Sequence, residues 1–367
     1  MFKDKTALII GASTGLGRTL AFDLYRKGAK VILTARSIDK LKELTEELKQ
    51  SNQGNPHEPE YRYLDIADPS DVEDLAKLAI DGKTIDILVN NAGISNRGAV
   101  EDTPLEIYRQ VMEVNFFGIV AVTKALLPYI PDDGCIIVTS SIQGRISIPY
   151  RSCYAASKHA LQAFFDALRT ETRPKLHILV VSAGYMNTGF GSRALDVNGQ
   201  PVGIEDENQK KSGPTGQLAG SGRGQFPLGA CSRSGFGTNS IGIAVVVVVV
   251  VVDGLLLIAA AKPDSTAVVV VDSKPFVEPV GSMPEVEVAA AASRTYSPIG
   301  LNFKPFLGLS AEEASAWILQ AAANRETDLL MAPLFHRLGV FLRWAWPNLY
   351  FYSVYKRGLK DQFAKKH

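Results

Sequence analysis

The chain has 367 residues with 39 basic and 38 acidic side chains, a formal net charge of +1, so its charge recommends no polyanionic partner such as nucleic acid. An apolar share of 46% is ample for a sizeable core, in one large domain or two ordinary ones. Three cysteines, Cys135, Cys153 and Cys231, are too few and too unevenly spaced for a disulfide framework or a metal site, which points to a reducing compartment and no metal.

Met1–Lys5 runs straight into the apolar stretch Thr6–Ile10, with no signal-peptide pattern ahead of it. Gly11-Ala-Ser-Thr-Gly15-Leu-Gly17 follows, then the helical spacing of Arg18–Lys27. Strand, glycine turn and helix in that order predict the phosphate-binding half of a doubly wound α/β fold. Gly11 is expected to permit the tight turn, and Gly15 and Gly17 to keep Cβ atoms away so that backbone N–H groups meet a pyrophosphate. The expected cofactor-binding set on this turn is Gly11, Ser13, Thr14, Gly15, Leu16 and Gly17. A glycine turn without a ligand is the plainer reading.

Lys30–Thr34 predicts a second strand that ends at Ala35-Arg36-Ser37. An acid at this strand end would accept from the adenosine ribose and favour NAD. Arg36 and Ser37, with Ser13 and Arg18 expected nearby, suit a 2′-phosphate instead, so NADPH/NADP is expected rather than NAD. A solvated surface arginine is the alternative. Ser37–Gln50 has helical leucine spacing, 51–59 is a polar loop, and Tyr61–Leu64 is a third strand ending on Asp65-Ile66. Pro69–Ala79 is helical, and Ile85–Val89 is a fourth strand running into Asn90-Asn91-Ala92-Gly93.

Pro104–Val114 opens a long helix with Asn115-Phe-Phe-Gly118 in its middle. A mid-helix asparagine can bond backbone at a kink. Cys135–Thr139 is a fifth strand, and Ser141 at its end is placed to present a hydroxyl to a reacting carbonyl. Tyr154 and Lys158 stand four apart, on one helix face. An ammonium close to a phenol favours the phenolate, which would make Tyr154 a proton donor and acceptor near neutral pH. The bland reading is a surface tyrosine and lysine, since Y-x-x-x-K arises often by chance. His177–Val181 is a sixth strand leading into Ser182-Ala-Gly184-Tyr-Met-Asn-Thr188.

The Ser140-Ser141-x-x-Gly144 turn, the Tyr154-x-Ala-Ser-Lys158 helix start and the G-x-x-x-G-x-G spacing together resemble the short-chain dehydrogenase/reductase family. The flanking IQGRISIPYRS and YAASKHALQAFFDALRTE resemble its 7B-like branch, whose members usually carry an N-terminal membrane helix with no counterpart in this sequence. The resemblance covers Lys3–Ser212, resumes near Leu309 and fails between. It implies a Rossmann-type, doubly wound, mostly parallel seven-stranded sheet in strand order 3-2-1-4-5-6-7. It implies a catalytic tetrad of Asn115, Ser141, Tyr154 and Lys158, in which Asn115 holds a water behind the lysine and Lys158 also holds the nicotinamide ribose. Asp65 and Ile66 would meet the adenine edge, and Asn91, Ala92 and Gly93 would pack behind the cofactor. Gly184 and Thr188 would approach the nicotinamide, although Ala183 stands where the family has proline and loosens that turn.

The implied reaction is reversible, NADPH-dependent reduction of an apolar or lipid-like carbonyl to an alcohol. Acyl- or alkyl-dihydroxyacetone phosphates, steroids and retinals are the classes suggested by the branch. The family also pairs two subunits through its long fourth and fifth helices, so a homodimer is implied.

Residues 213–308 change character, with eight consecutive valines at Val245–Val252, a second run at Val268–Val271 and alanine tracts. Three readings compete: a membrane span over Ile241–Ala261, a lid insertion over the substrate cleft, or low-complexity sequence such as translated intron, disordered or aggregation-prone. The core thus reads as 1–212 resumed at 309–333, where a last helix and seventh strand are expected. The tail, 334–367, is dense in aromatics and closes on lysines and arginines, which suits peripheral contact with a membrane interface, on the cytoplasmic side of the endoplasmic reticulum or peroxisome. A tail packed on its own core or on a dimer partner is the alternative. Two functional rivals remain, an NADP(H)-binding sensor or scaffold without turnover and a membrane-anchored structural partner.

Overall fold

The computed structural model describes residues 1–52, 54–80, 84–171, 173–203, 246–252, 255–262, 265–271, 309–332 and 334–363. Two compact units result, one of Met1–Gln217 with Asn302–His367 and one of Leu218–Leu301.

The first unit alternates strands and helices: β1 Thr6–Ile10, α1 Gly15–Arg26, β2 Lys30–Ala35, α2 Ile38–Ser51, β3 Glu60–Tyr63, α3 Pro69–Ile80, β4 Ile87–Asn90. It continues through α4 Leu105–Met112, α5 Ile119–Leu126, β5 Cys135–Thr139, α6 Ser152–Thr170 and β6 His177–Ala183. Alternate residues of a strand point to opposite faces, so a strand buried on both faces must be apolar throughout. β1 shows this directly: Ala7 and Ile9 enter one core, Leu8 and Ile10 the other. The second core also takes Val72 and Leu75 of α3, Ile119, Val122 and Leu126 of α5, and Leu161 and Phe165 of α6.

The second unit comprises β7 Val246–Val252, β8 Leu255–Lys262 and β9 Ser265–Val271, an antiparallel meander. The β7–β8 register runs from Val246↔Ala261 to Val252↔Leu255. Among the described residues Val246–Val252 and Leu255–Lys262 are thus two strands, where the membrane-span reading of Ile241–Ala261 expects one helix. The lid and low-complexity readings concern 213–308 as a whole and lie for the most part outside the described residues.

Four elements complete the first unit: α7 Ala311–Ala323, β10 Asp328–Met331, α8 Leu334–Ala345 and α9 Pro347–Phe363. β10 adds in parallel beside β6, pairing Asp328 with Val180 through to Met331 with Ala183. The seven-stranded parallel sheet runs β3-β2-β1-β4-β5-β6-β10, the expected 3-2-1-4-5-6-7 order. α7 starts on a capping box, Ser310 with Glu313, and the Ser315 hydroxyl donates to Asp23 of α1 at 2.6 Å. Pro347 ends α8 and opens α9, because the residue before proline avoids the helical region while proline suits a helix start.

The long helix expected from Pro104 is interrupted by a π-turn at Glu113–Gly118, between α4 and α5. Leu105–Tyr129 as a whole is long and apolar enough to cross a membrane by length and composition, but Ile119, Val122 and Leu126 spend that apolarity in the core.

Gly17 is a close-approach glycine. A Cβ there would lie 2.2 Å from the Gly11 carbonyl oxygen and 2.5 Å from Asn91 Nδ2, so its missing side chain lets α1 close onto the β1 and β4 turns. Gly17→Ala is expected to destabilise the fold by about 1–3 kcal/mol through overpacking. Thermal denaturation checks this, and an unchanged midpoint would mean that α1 shifts freely.

Candidate active site

In an open parallel sheet the loops leaving the carboxyl ends of the strands meet at the point where strand order reverses. Here that point is between β1 and β4, and a cleft of ≈ 1480 Å³ opens there. Gly11, Ser13, Thr14, Gly15 and Leu16 line it from the first turn, and Asn91, Ala92 and Gly93 from the fourth strand. Gly11 has φ +84, and a Cβ on it would lie 2.8 Å from Ala92 Cα, so the first and fourth turns touch through backbone. Gly15 has φ +56, and a Cβ there would meet Thr188 Cβ at 3.1 Å. Thr188 is thus brought over the glycine turn despite Ala183, and Gly184 lines the same cleft. Asn91 holds the turns together, donating to the Gly11 carbonyl at 3.0 Å and accepting from the Thr139 hydroxyl at 3.1 Å.

At the end of β2 the cleft is lined by Arg36, Ser37 and Lys40, with Asp65 and Ile66 opposite. Arg36 faces Asp65 at 3.8 Å. Arg18, expected beside Arg36, is instead ion-paired with Glu47 and stacked over Phe22 at 5.0 Å, outside the cleft lining. Lys40 takes that place, and the sequence reading missed it. Its signal was there to find: it lies in the first turn of α2, where the helix dipole disfavours a cation. Ser37 precedes α2 without capping it through its side chain, which leaves the hydroxyl to the cleft.

Ser141, Tyr154 and Lys158 converge at the other end of the cleft. Ser141 ends the β5 loop, its hydroxyl accepting from Gln143 N at 3.1 Å and donating to the Ala183 carbonyl at 3.3 Å. Tyr154 sits in the first turn of α6, with its backbone N–H held by Asn96 Oδ1 at 3.0 Å. Arg151, buried one residue before the helix, donates to the Asn96 carbonyl at 3.1 Å. Asn96 and Arg151 position the tyrosine and were not singled out from sequence, because neither contact is local in the chain. Lys158 is buried, and its ammonium donates to the Thr139 carbonyl at 2.9 Å while lying 5.8 Å from the Tyr154 ring centroid.

Asn115, in the π-turn and fully buried, accepts from Ile94 N at 2.8 Å and donates to the Ile94 carbonyl at 2.8 Å and to Ser157 Oγ at 2.9 Å. It ties the β4 loop to α6. A Cβ on Gly93 would lie 3.2 Å from Asn115 Oδ1 and 3.5 Å from Lys158 Nζ, so the three meet within one shell.

Burial sets the ionisation here. It raises the Tyr154 phenol above its usual value, while the Ser141 hydroxyl and the Arg151 charge pull it down. Burial lowers the Lys158 ammonium to about 8. The expectation that Lys158 brings the phenol down is therefore corrected for the protein alone: desolvation dominates, and Ser141 and Arg151 are the groups opposing it.

The set fits a nicotinamide dinucleotide. A cradle without Cβ atoms faces a helix N-terminus, cations and a hydroxyl stand where the adenosine end would lie, and the acid–base groups stand at the far end. Among the described residues no cluster of His, Cys, Asp or Glu is arranged to hold a metal.

A family profile described as short chain dehydrogenase matches residues 5–196. The chain is 42% identical over 221 residues to dehydrogenase/reductase SDR family member 7B of Mus musculus, covering 59% of this chain and 68% of that protein. It is 44% identical over 212 residues to the Rattus norvegicus protein of the same name, covering 56% and 65%. Dehydrogenase/reductase SDR family protein 7-like of Drosophila melanogaster is 40% identical over 219 residues, covering 59% and 67%. The matched stretch is thus about two thirds of these relatives' own length. Among solved structures, an alcohol dehydrogenase from the archaeon Thermococcus sibiricus complexed with 5-hydroxy-NADP shares 29% identity at a TM-score of 0.48, covering 53% of this chain and 86% of that one.

The Lys158 shift has a thermodynamic consequence. Below pH 8 both folded and unfolded states hold the proton, and the fold bears the whole burial penalty. Between about 8 and the ordinary value of 10.5 the unfolded chain binds more protons, so stability rises with pH. The integrated gain is about 3 kcal/mol. Lys158→Met lacks this titration and is expected to lose about that much relative to the parent as pH is raised through that window. Urea unfolding across pH checks it, and a difference flat in pH would mean that the ammonium is not penalised by burial.

Proposed function

The chain belongs to the short chain dehydrogenase family of oxidoreductases, and on that footing we propose that it reduces an apolar carbonyl to an alcohol with NADPH. The observation that carries the reading is the convergence of Ser141, Tyr154 and Lys158 in the same cleft as the glycine turn and its cations.

In this reading Gly11, Gly15 and the α1 N-terminus hold the pyrophosphate, and Arg36, Ser37 and Lys40 hold the 2′-phosphate. Asp65 and Ile66 border the adenine, and Thr188 closes over the turn. When bound, the reduced nicotinamide supplies hydride to the carbonyl carbon. The Ser141 hydroxyl donates to the carbonyl oxygen as charge develops there. Tyr154, kept protonated by burial, gives its phenolic proton to the same oxygen. Lys158 holds the ribose hydroxyls and, as a cation, steadies the phenolate left behind. Asn115 is a positioning residue whose amide is engaged by Ile94 and Ser157, so a water that refills the proton would be bound by the backbone of the π-turn.

Beyond the tyrosine the cleft is walled by Ile146, Ile148, Phe190, Leu195 and Val202, a lining suited to an apolar substrate.

Tyr154→Phe is expected to lower turnover by about 10²–10⁴-fold while NADPH binding survives. Carbonyl-dependent NADPH oxidation together with a thermal-shift titration checks this, and a fully active variant sinks the mechanism. NADPH binding without oxidation across a broad carbonyl panel would favour a sensor or scaffold. Removing Arg36 and Lys40 together should erase a preference for NADPH over NADH by about tenfold or more, read as the difference between the two midpoint shifts. An unchanged preference would move 2′-phosphate recognition elsewhere.

A further inference from the structure

Helices α8 and α9 have two unlike sides. On the inner side Leu338, Leu342, Tyr350 and Val354 line the same cleft as Tyr154. Tyr350 is buried with Ile142, Ile146 and Ala332, and its hydroxyl donates to the Ser147 carbonyl at 2.8 Å, inside the loop between Ser141 and Tyr154. On the outer side Trp344, Trp346, Leu349, Phe351, Tyr352 and Tyr355 are exposed, Trp344 to 83% and Tyr355 to 63%. Scattered exposed apolar residues need no explanation, but six large ones on two consecutive helices and the residue joining them form a patch that does.

Their chemistry selects the occupant. Trp and Tyr suit the boundary between headgroups and acyl chains, where an apolar ring can carry a polar edge. The stretch 334–363 holds five basic residues, Arg337, Arg343, Lys356, Arg357 and Lys360, against one acid, Asp361. The net positive charge of this stretch is one that a second copy would only repeat, whereas an anionic lipid surface complements it. Arg343 also lies over the Phe351 ring at 5.9 Å, so cation and aromatic are interleaved on the same side.

We propose that α8 and α9 form a platform that seats the chain on an anionic bilayer interface, with the cleft mouth at that surface so that an apolar substrate enters from the lipid. Leu338, half-exposed and on the cleft lining, marks the mouth. The docking surface stands on the exposed aromatics and the charge; the entry of substrate rests on the carbonyl-reductase reading above.

The test is flotation of the full chain with phosphatidylcholine vesicles, with and without phosphatidylserine, at low and high salt. The parent is compared with a Trp344→Ser/Phe351→Ser/Tyr355→Ser variant whose folding is checked by its NADPH-induced thermal shift. The expected result is flotation that requires phosphatidylserine, weakens with salt, and is at least about tenfold weaker in the variant. No flotation with any lipid, equal flotation of a folded variant, or a concentration-dependent dimer abolished by the variant would overturn the platform. A second arm compares NADPH oxidation with a vesicle-borne and a water-soluble carbonyl. The variant should lose rate selectively on the first, and equal loss on both would overturn entry from lipid. Absence of turnover in the parent with intact flotation would count against the reductase reading and leave the platform standing.

Discussion

An ammonium taken out of water is costly unless something in the fold compensates it, and Lys158 is such a group. Its main-chain partner is the Thr139 carbonyl at the end of β5, which fixes how α6 sits on the sheet. Gly93 sits beside it, where a Cβ would crowd Asn115 Oδ1 at 3.2 Å, and Asn115 reaches the same space from the π-turn. The end of β5, the β4 turn and the π-turn between α4 and α5 thus meet around one buried charge. Buried groups with strongly shifted ionisation cluster at functional sites, which is why this one marks the candidate site.

The second constraint is completion of the sheet by residues far along the chain. β6 would be an edge without β10, and the face under α1 would lose α7. Loop-closure entropy grows only with the logarithm of loop length, each doubling costing about 0.6 kcal/mol, so a long intervening stretch need not prevent that pairing. The gain comes from four parallel pairs of β10 with β6 and from the buried face of α7. Helices α8 and α9 follow directly and reach back to the loop between Ser141 and Tyr154 through Tyr350. The end of the chain is therefore part of the wall around the chemistry.

Much of the site was legible because its parts are local motifs. The glycine turn, Arg36 and Ser37, the Asn91-Ala92-Gly93 turn, Ser141 and the Tyr154–Lys158 pair each sit within a few residues of a strand end, and the topology of parallel strands brings those ends together. What was misread depended on distance in space. Arg18 was expected near Arg36, but it pairs with Glu47 of α2 and lies over Phe22 one turn on in its own helix. Lys40 was passed over as an ordinary helix lysine. Gly17 was read as a phosphate glycine, and only the Gly11 carbonyl and Asn91 beside it reveal that it also packs α1 against the turns.

The amino-acid sequence by itself determined the sheet, its order and which side chains stand at the strand ends, because apolar strand runs, glycine turns and helical spacing are set by neighbours along the chain. Tertiary structure alone decided the electrostatics and the walls. The phenol is raised rather than lowered because burial outweighs nearby charge, and burial belongs to the packed molecule and not to any segment of it. Likewise the aromatic tail divides into a cleft-lining side and an exposed side only once Tyr350 finds Ser147, a contact across 203 positions that no spacing in the sequence announces.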